Sequence, residues 1–427
     1  LEWDATWTRL DNNDNLVASW TIERGRSFEL DQTDAGRATV KINDVDGLLD
    51  PTNTGGPYFG KIEPLLQAAI CRWNPVTDTW EQRFRGFIDD LNYKFDPSQR
   101  INFLEVSLVD IFEVLAAIEM VPGAFGHTPD PGSEGQIQFN EANMDARIVQ
   151  VLGDAGFTGA GVDWYVVFTG NVTLYKTIYS PGETPLTVAQ EAADAEFPGV
   201  SNVYADRFGR FVVHGRLAKF DPGGVSSGVT DDVWDWHDWQ AGDGATVAAN
   251  PAQFAHIRRF AFNRGLSKII NSALASSIDV TVPAQTDSDA TSIGQYGIRS
   301  RSWPNLLTKS GLLDSSTTAQ ELSKFVEYAI DNYSQPENRP TELTFRSKDP
   351  NHAGASENWR LMSKVDISDR IEVTISAPGG GGFTAEPFFV EGIRESSAPL
   401  NQDYDNDTVT LDVSPAAYFA DNPFPVS

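Results

Sequence analysis

The residue types able to do chemistry in this chain are present but scattered. The five histidines are His127, His214, His237, His256 and His352, and none stands in an H-E-x-x-H or H-x-H spacing. A zinc peptidase needs imidazoles brought to one face by local spacing, so that chemistry lacks its ligands here. Neither a G-x-S-x-G elbow nor a phosphate-binding P-loop is present. Asp and Glu number 60, and that abundance makes any one pair uninformative. A glycosidase needs two carboxyls about 5–9.5 Å apart, which spacing along a chain does not fix. A solvated acidic surface accounts for them more simply. Asp403, Asp405 and Asp407 have the spacing that opens a calcium loop, but Thr408 replaces its glycine and Ser414 its distal glutamate. No catalytic group, metal ligand set or cofactor is assigned, and the chain is expected not to be an enzyme.

The run Val233-Trp234-Asp235-Trp236-His237-Asp238-Trp239 has the one aromatic density that asks for explanation. Flat indoles beside acidic hydrogen-bonding groups hold sugar rings, which makes Trp234, Trp236 and Trp239 candidate glycan or interface contacts. The same alternation suits a strand with one aromatic face packed on a neighbouring domain, and that reading is preferred. The single cysteine, Cys71, excludes an intrachain disulfide; Ala69 and Trp73 at strand spacing predict a small core residue there.

The elements that would position these residues are short and numerous. Gly and Pro, 35 and 24 of them, are spread between short apolar runs over 427 residues, a length suited to two to four domains. The net charge of −28 repels phosphate and disfavours sequence-independent DNA binding. It suits solubility, or a channel wall that nucleic acid passes without sticking. No apolar run approaches the ~20 residues of a membrane span. Leu1-Glu2-Trp3-Asp4 shows no basic region before an apolar stretch, so no secretion signal is expected.

Leu16, Ala18, Trp20 and Ile22 alternate with polar residues, as do Ala38, Val40 and Ile42, and Asp46-Gly47 supplies a turn. Further strands are predicted around 66–73, 80–91 and 101–109, then a helix over 110–120. Gly126–Gly135 reads as a loop. Met144, Ile148, Val151 and Leu152 predict a helix over 140–155, and Thr184-Pro185 caps another through Glu196. Val203–Ala205 and Phe211–Val213 flank Asp206-Arg207-Phe208-Gly209-Arg210 as a hairpin. Strands are expected at 255–263 and 278–282, and a loop at 284–297. Ala319, Leu322, Phe325, Val326, Ala329 and Ile330 form one stripe of a helix over 317–333, opened by a capping box at Thr317 or Thr318. Strands at 342–345, 370–375, 387–393 and 408–413 follow, with a four-glycine loop at Gly379–Gly382. Phe84-Arg85-Gly86-Phe87-Ile88 with Leu104-Glu105-Val106-Ser107 is echoed by Val390-Glu391-Gly392-Ile393 with Leu411-Asp412-Val413-Ser414. The fold class is therefore β-rich α+β. Two small β-barrels, residues 1–120 and 236–427, bracket a mixed α+β domain at 121–235, with helix 317–333 inserted in the second barrel.

One succession of motifs resembles a known family. It runs Arg24-Gly25-Arg26-Ser27, Glu29-Leu30-Asp31, Ala35-Gly36-Arg37-Ala38-Thr39-Val40, Asp44 to Asn53 and Phe84-Arg85-Gly86-Phe87. The Asp206–Gly209 hairpin, Ser292–Gly297, Val390–Ile393 and Val409–Pro415 complete it. It is similar to minor tail proteins of long-tailed phages of actinobacteria, and through them to the baseplate hub family. The resemblance implies a homotrimeric ring of two barrels per chain with pseudo-sixfold symmetry, sited in the virion at the tail tip. Its implied partners are the distal tail ring protein, the tape-measure protein and tip or fibre proteins, with viral DNA passing through the lumen only transiently. It brings no catalytic motif, and no lytic extension is expected after Pro415–Ser427. The alternatives are the hexameric distal ring protein and a glycan-binding tail module.

Overall fold

The structure is a computed structural model that describes residues 7–10, 15–96, 101–157, 164–220, 237–311, 318–337, 339–347, 355–376, 382–397 and 407–420. The first block holds β1 (Asn15–Gly25), β2 (Asp34–Asp44), β3 (Gln67–Asn74), β4 (Thr79–Asp96) and β5 (Ile101–Val109), all antiparallel in the order β1-β2-β5-β4-β3. Trp20 and Ile22 point inward with Ala38, Ile42, Phe84, Ile88, Leu104, Val106 and Leu108, as the period of two demands. The predicted turn after β2 is built by Asp44. Its carboxylate accepts the N–H groups of Leu48 and Leu49 and the hydroxyl of Tyr93, at 2.9, 3.0 and 2.9 Å. Cys71 is exposed, contrary to expectation. The inward residues of β3 are Ile70, Arg72 and Asn74. An arginine in an inward position put the apolar pattern one residue out of phase.

β5 runs into α1 (Ile111–Ala117), which Asp110 caps by accepting Phe112 N–H at 2.9 Å. The middle block holds β6 (Ile137–Phe139), β7 (Ala142–Asn143), α2 (Met144–Asp154), β8 (Tyr165–Val167), β9 (Val172–Leu174), β10 (Thr177–Tyr179), α3 (Pro185–Glu196), β11 (Val203–Ala205) and β12 (Phe211–Val213). α2 buries the predicted stripe Met144, Ile148, Val151 and Leu152. It starts later than 140 because Ala142 and Asn143 pair with β9. α3 begins as read: the Thr184 side chain accepts Thr187 N–H at 3.2 Å and Pro185 takes the first turn. β11 and β12 are the predicted antiparallel hairpin.

The last block holds β13 (Asp238–Gly242), α4 (Gly244–Ala249), β14 (Ala255–His256), β15 (Arg259–Asn263), β16 (Ser272–Ser277), β17 (Gln285–Ser288), α5 (Ala290–Tyr296), β18 (Ser300–Leu306) and β19 (Thr308–Gly311). It continues with α6 (Thr318–Tyr333), β20 (Arg339–Arg346), α7 (Ala355–Lys364), β21 (Arg370–Ser376), β22 (Gly382–Ser397) and β23 (Thr408–Pro415). Leu322, Phe325, Val326, Ala329 and Ile330 of α6 are all buried, in one cluster with Ala273 and Ala275 of β16. Thr317 lies outside the described residues, as do Gly379, Gly380 and Gly381 of the glycine loop.

Three sequence expectations are overturned here. Residues 278–282 form a turn, because the Asp279 carboxylate accepts both N–H and hydroxyl of Thr281, at 2.9 and 2.7 Å, in place of a ladder. The strand precedes it in Ser272–Ser277, too polar to show an apolar period. The expected loop at 284–297 holds β17 and α5, the helix capped by Asp289 on the N–H groups of Thr291 and Ser292. The expected strand at 255–263 splits, because β14 pairs with β13 whereas β15 crosses to β20. α7 had no counterpart in the sequence reading.

Twelve of the described strands form one mixed sheet joined through β22, and the others form four small sheets of two or three strands. β22 pairs with β21 along its first half, with β23 along its second, and with β1 from Gly392 to Ser397. β13 is parallel to both β14 and β21. Among the described strands this path ends at β3, β14 and β15 and closes no barrel. Both members of the sequence echo are antiparallel pairs, but their registers differ. Gly86 lies beyond the Phe87–Val109 pair, whereas Gly392 sits opposite Asp412.

Candidate functional site

The motifs singled out in the sequence converge at one place, where β1 meets β22. Gly25 of Arg24-Gly25-Arg26 pairs with Gly392 of Val390-Glu391-Gly392-Ile393. Gly25 has φ +89°, and a Cβ built there would lie 2.3 Å from the Glu391 carbonyl oxygen. A side chain therefore fits neither the backbone angle nor the space. This close approach aims the flanking arginines inward, in phase with Trp20 and Ile22.

Four arginines of the first block cross to four carboxylates of residues 366–407. Arg24 binds Asp366 at 2.7 Å, and Arg26 binds Glu391 at 2.9 Å. Arg83 grips Glu395 at 2.7 Å, while Arg72 lies 3.5 Å from Glu395 and 3.0 Å from Asp407. The arginine side chains are between 0% and 3% exposed. Lys219 adds a fifth cation against Glu391, whose Oε1 also accepts the Ser414 hydroxyl at 2.6 Å. Burial pushes the Glu391 carboxyl up, but Lys219 and Arg26 outweigh it and hold its pKa at about 2. Burial lowers Lys219 to about 8 despite that partner.

The same arginines close the end of α7. A helix leaves its last carbonyls without partners and its C-terminus partly negative. Arg72 donates to Met362 O at 2.9 Å, and Arg83 to Ser363 O and Val365 O at 2.8 and 3.0 Å. Arg207, from the β11–β12 hairpin, donates to Lys364 O. That hairpin is itself pinned by Asp206, which accepts the N–H groups of Phe208 and Arg210 and binds the Arg210 side chain. A Cβ on Gly209 would meet Arg85 O of β4 at 2.8 Å. Strands, hairpin and helix end thus share one buried charged seam.

This arrangement is adhesive. Groups so secluded touch no substrate, and each charge has its counter-charge within the chain. Among the described residues no cluster of three His, Cys, Asp or Glu is placed to hold a metal. The histidines are dispersed. His214 is fully buried between the Tyr204 hydroxyl and Ser368 Oγ, and burial drops its pKa to about 3. His256 donates its backbone N–H to Asn358, and His352 lies outside the described residues. Of the tryptophan candidates, Trp234 and Trp236 also lie outside them. Trp239 is buried in the core of the last block; its indole N–H donates to Asp369 at 2.9 Å and its ring stacks on His237.

The sequence reading missed Arg24, Arg72 and Arg83. The available signal was an arginine in phase with the apolar residues of its strand, as Arg24 is with Trp20 and Ile22.

No protein-family model matches the sequence, and no curated protein matches it significantly. The fold is similar to that of a tail protein from Neisseria meningitidis MC58, at 12% identity and TM-score 0.54, covering 96% of this chain and 95% of that one. A lesser likeness, 9% identity and TM-score 0.45, is to the E. coli c3393 protein. That protein is described as a type VI secretion component structurally similar to T4 tail proteins gp27 and gp5; the match covers 93% of this chain and 73% of that one.

Proposed function

We infer that the chain is a structural subunit of a phage-type tail tip, forming a trimeric hub ring in the virion. The observation that carries this reading is the end-to-end match of fold with a tail protein, over nearly the full length of both chains. The motif order read from the sequence points independently to a tail protein. Two β-regions per chain, bracketing the middle block, would present six similar surfaces from three copies to a sixfold distal tail ring. The distal tail ring, tape-measure and tip or fibre proteins would be its partners, with DNA crossing the lumen. The buried seam suits such a part, because a ring under load needs its two β-regions to move as one body. Nothing in this role calls for catalysis or a cofactor.

The reading is tested by locating the chain in an imaged tail and counting its copies. Three copies in one ring at the tip support it. Six identical copies would instead favour the distal ring protein.

A further inference from the structure

Among the described residues the large sheet ends at three strands, and β15 is the most open of them. β14 is two residues long with both buried, and β3 buries Ile70, Arg72 and Asn74, whereas no residue of β15 is buried. Its described ladder runs to β20 alone. An edge of this kind is a template for one more strand, and the side chains along it decide which strand fits.

The first of their properties is charge. Residues 244–278 hold Arg258, Arg259, Arg264 and Lys268 and not one Asp or Glu, in a chain of net charge −28. The three arginines are exposed, and β20 beside them adds exposed Arg346. The neighbouring carboxylates are already engaged. Glu342 lies 3.7 Å from Arg394 and 3.9 Å from Arg259, Asp412 binds Arg394 at 2.9 Å, and Glu337 accepts the Tyr418 hydroxyl at 2.8 Å. The edge is therefore positive, against the sign of the whole chain. The second property is an aromatic row that runs out of the core. Phe388, buried in the last block, meets Phe383 at 5.9 Å between ring centroids; Phe383 meets Phe260 at 5.5 Å, and Phe260 meets Phe262 at 5.9 Å. Phe262 ends the row, 59% exposed. The period of two puts Arg259 on the opposite face of β15 from Phe260. A strand laid along this edge meets a cation on one face and an aromatic ring on the other.

We propose that the β15 edge takes an added strand from a partner protein whose extended segment alternates carboxylate with apolar side chains. The carboxylates lie over Arg259 and the flanking arginines, and an apolar side chain continues the row beyond Phe262. Main-chain hydrogen bonds supply the ladder, while the alternation supplies the choice of partner. This goes beyond the ring reading and does not depend on it.

The full chain tests it with synthetic peptides. A short fluorescent peptide of alternating glutamate and valine is titrated and its anisotropy read. The controls are a lysine–valine peptide, a glutamate–serine peptide, and the glutamate–valine peptide N-methylated throughout, which cannot form a ladder. The first is expected to bind saturably, about tenfold or more tighter than each control. Arg259→Glu with Arg264→Glu, and separately Phe262→Ser, are expected to weaken it about tenfold with melting midpoints unchanged. No saturable binding to the native chain overturns the proposal, as does equal binding of the lysine–valine or the N-methylated peptide. A short DNA duplex that binds the native chain and not the arginine variant, where the peptide never binds, marks a nucleic-acid surface instead. A native chain that dimerises unless Phe262 is replaced, again with no peptide bound, marks a contact between copies. Either result overturns the proposal. The count of copies in an imaged tail is untouched by any of these outcomes, so the ring reading stands or falls separately.

Discussion

Gly25 and Gly392 face each other across β1 and β22, and their contact leaves no room for a Cβ on either side. On Gly25 it would meet Glu391 O at 2.3 Å, and on Gly392 it would meet Arg26 O at 2.7 Å. The two β-regions are therefore joined at backbone distance, with the buried arginines packed on either side of the contact.

Gly25→Ala is expected to destabilise the fold by more than about 2 kcal/mol, combining backbone strain with displacement of β22. Gly60→Ala is the control: its φ is +64° but nothing lies near its added Cβ, so only the strain of about 1 kcal/mol applies. Urea unfolding of both variants compares them. Equal losses would show that the β1–β22 approach is not tight.

Arg83→Ala leaves buried Glu395 with only the more distant Arg72 and removes the donor to two carbonyls at the end of α7. Removing one partner of a buried pair costs about 3–5 kcal/mol. Replacing Arg83 and Glu395 together by Met and Leu should recover much of that loss. A double-mutant cycle by chemical denaturation gives the coupling, and additive losses would refute a shared seam.

Stability is expected to respond to pH in two windows of opposite sign. Burial raises Asp110 from 3.8 to about 7. The folded state then holds a proton the unfolded chain has lost, so stability falls as pH rises from about 4 to 7, by up to about 1.4 kcal/mol per unit. Asp110→Asn should reduce this slope, which Asp412, raised by burial to about 6, shares. Glu391 is shifted the other way, from 4.5 to about 2, so its contribution is full above 4.5 and is lost as pH falls towards 2. Unfolding curves across pH 2–8 check both; a flat profile for the native chain from pH 4 to 7 would contradict the first.

Trp239→Phe keeps an aromatic ring, though a smaller one, and removes the indole N–H from Asp369, whose carboxyl burial already raises well above its usual range. The expected loss is about 1–3 kcal/mol. Cell-wall pull-down should be indifferent to this substitution, because the ring is spent inside the core. A loss of glycan retention with an unchanged melting midpoint would show that Trp239 reaches ligand.

Much of the fold is legible in the sequence wherever apolar period and cap chemistry agree. Thr184-Pro185 opens α3, Asp110 opens α1, and the Leu322–Ile330 stripe is the face α6 buries. The reading fails where polar atoms do the structural work. Ser272–Ser277 is a strand without an apolar period, Asp279 turns a β-prone run, and Asp289 nucleates a helix in a polar stretch. The seam was hidden for a related reason. Arg72 occupies an inward strand position because its partners, Glu395, Asp407 and Met362 O, lie some 300 residues on, as the 290-residue separation from Met362 shows. No local window contains that information. The motifs were visible as motifs, but their meeting at Gly25 and Gly392 is a property of the fold.

The most direct test of the structural-ring account is the symmetry and position of this chain in an imaged tail particle. The account predicts three copies in one ring at the tail tip, each contributing both of its β-regions to the wall. Six equivalent copies, or absence of the chain from the tail, would contradict it.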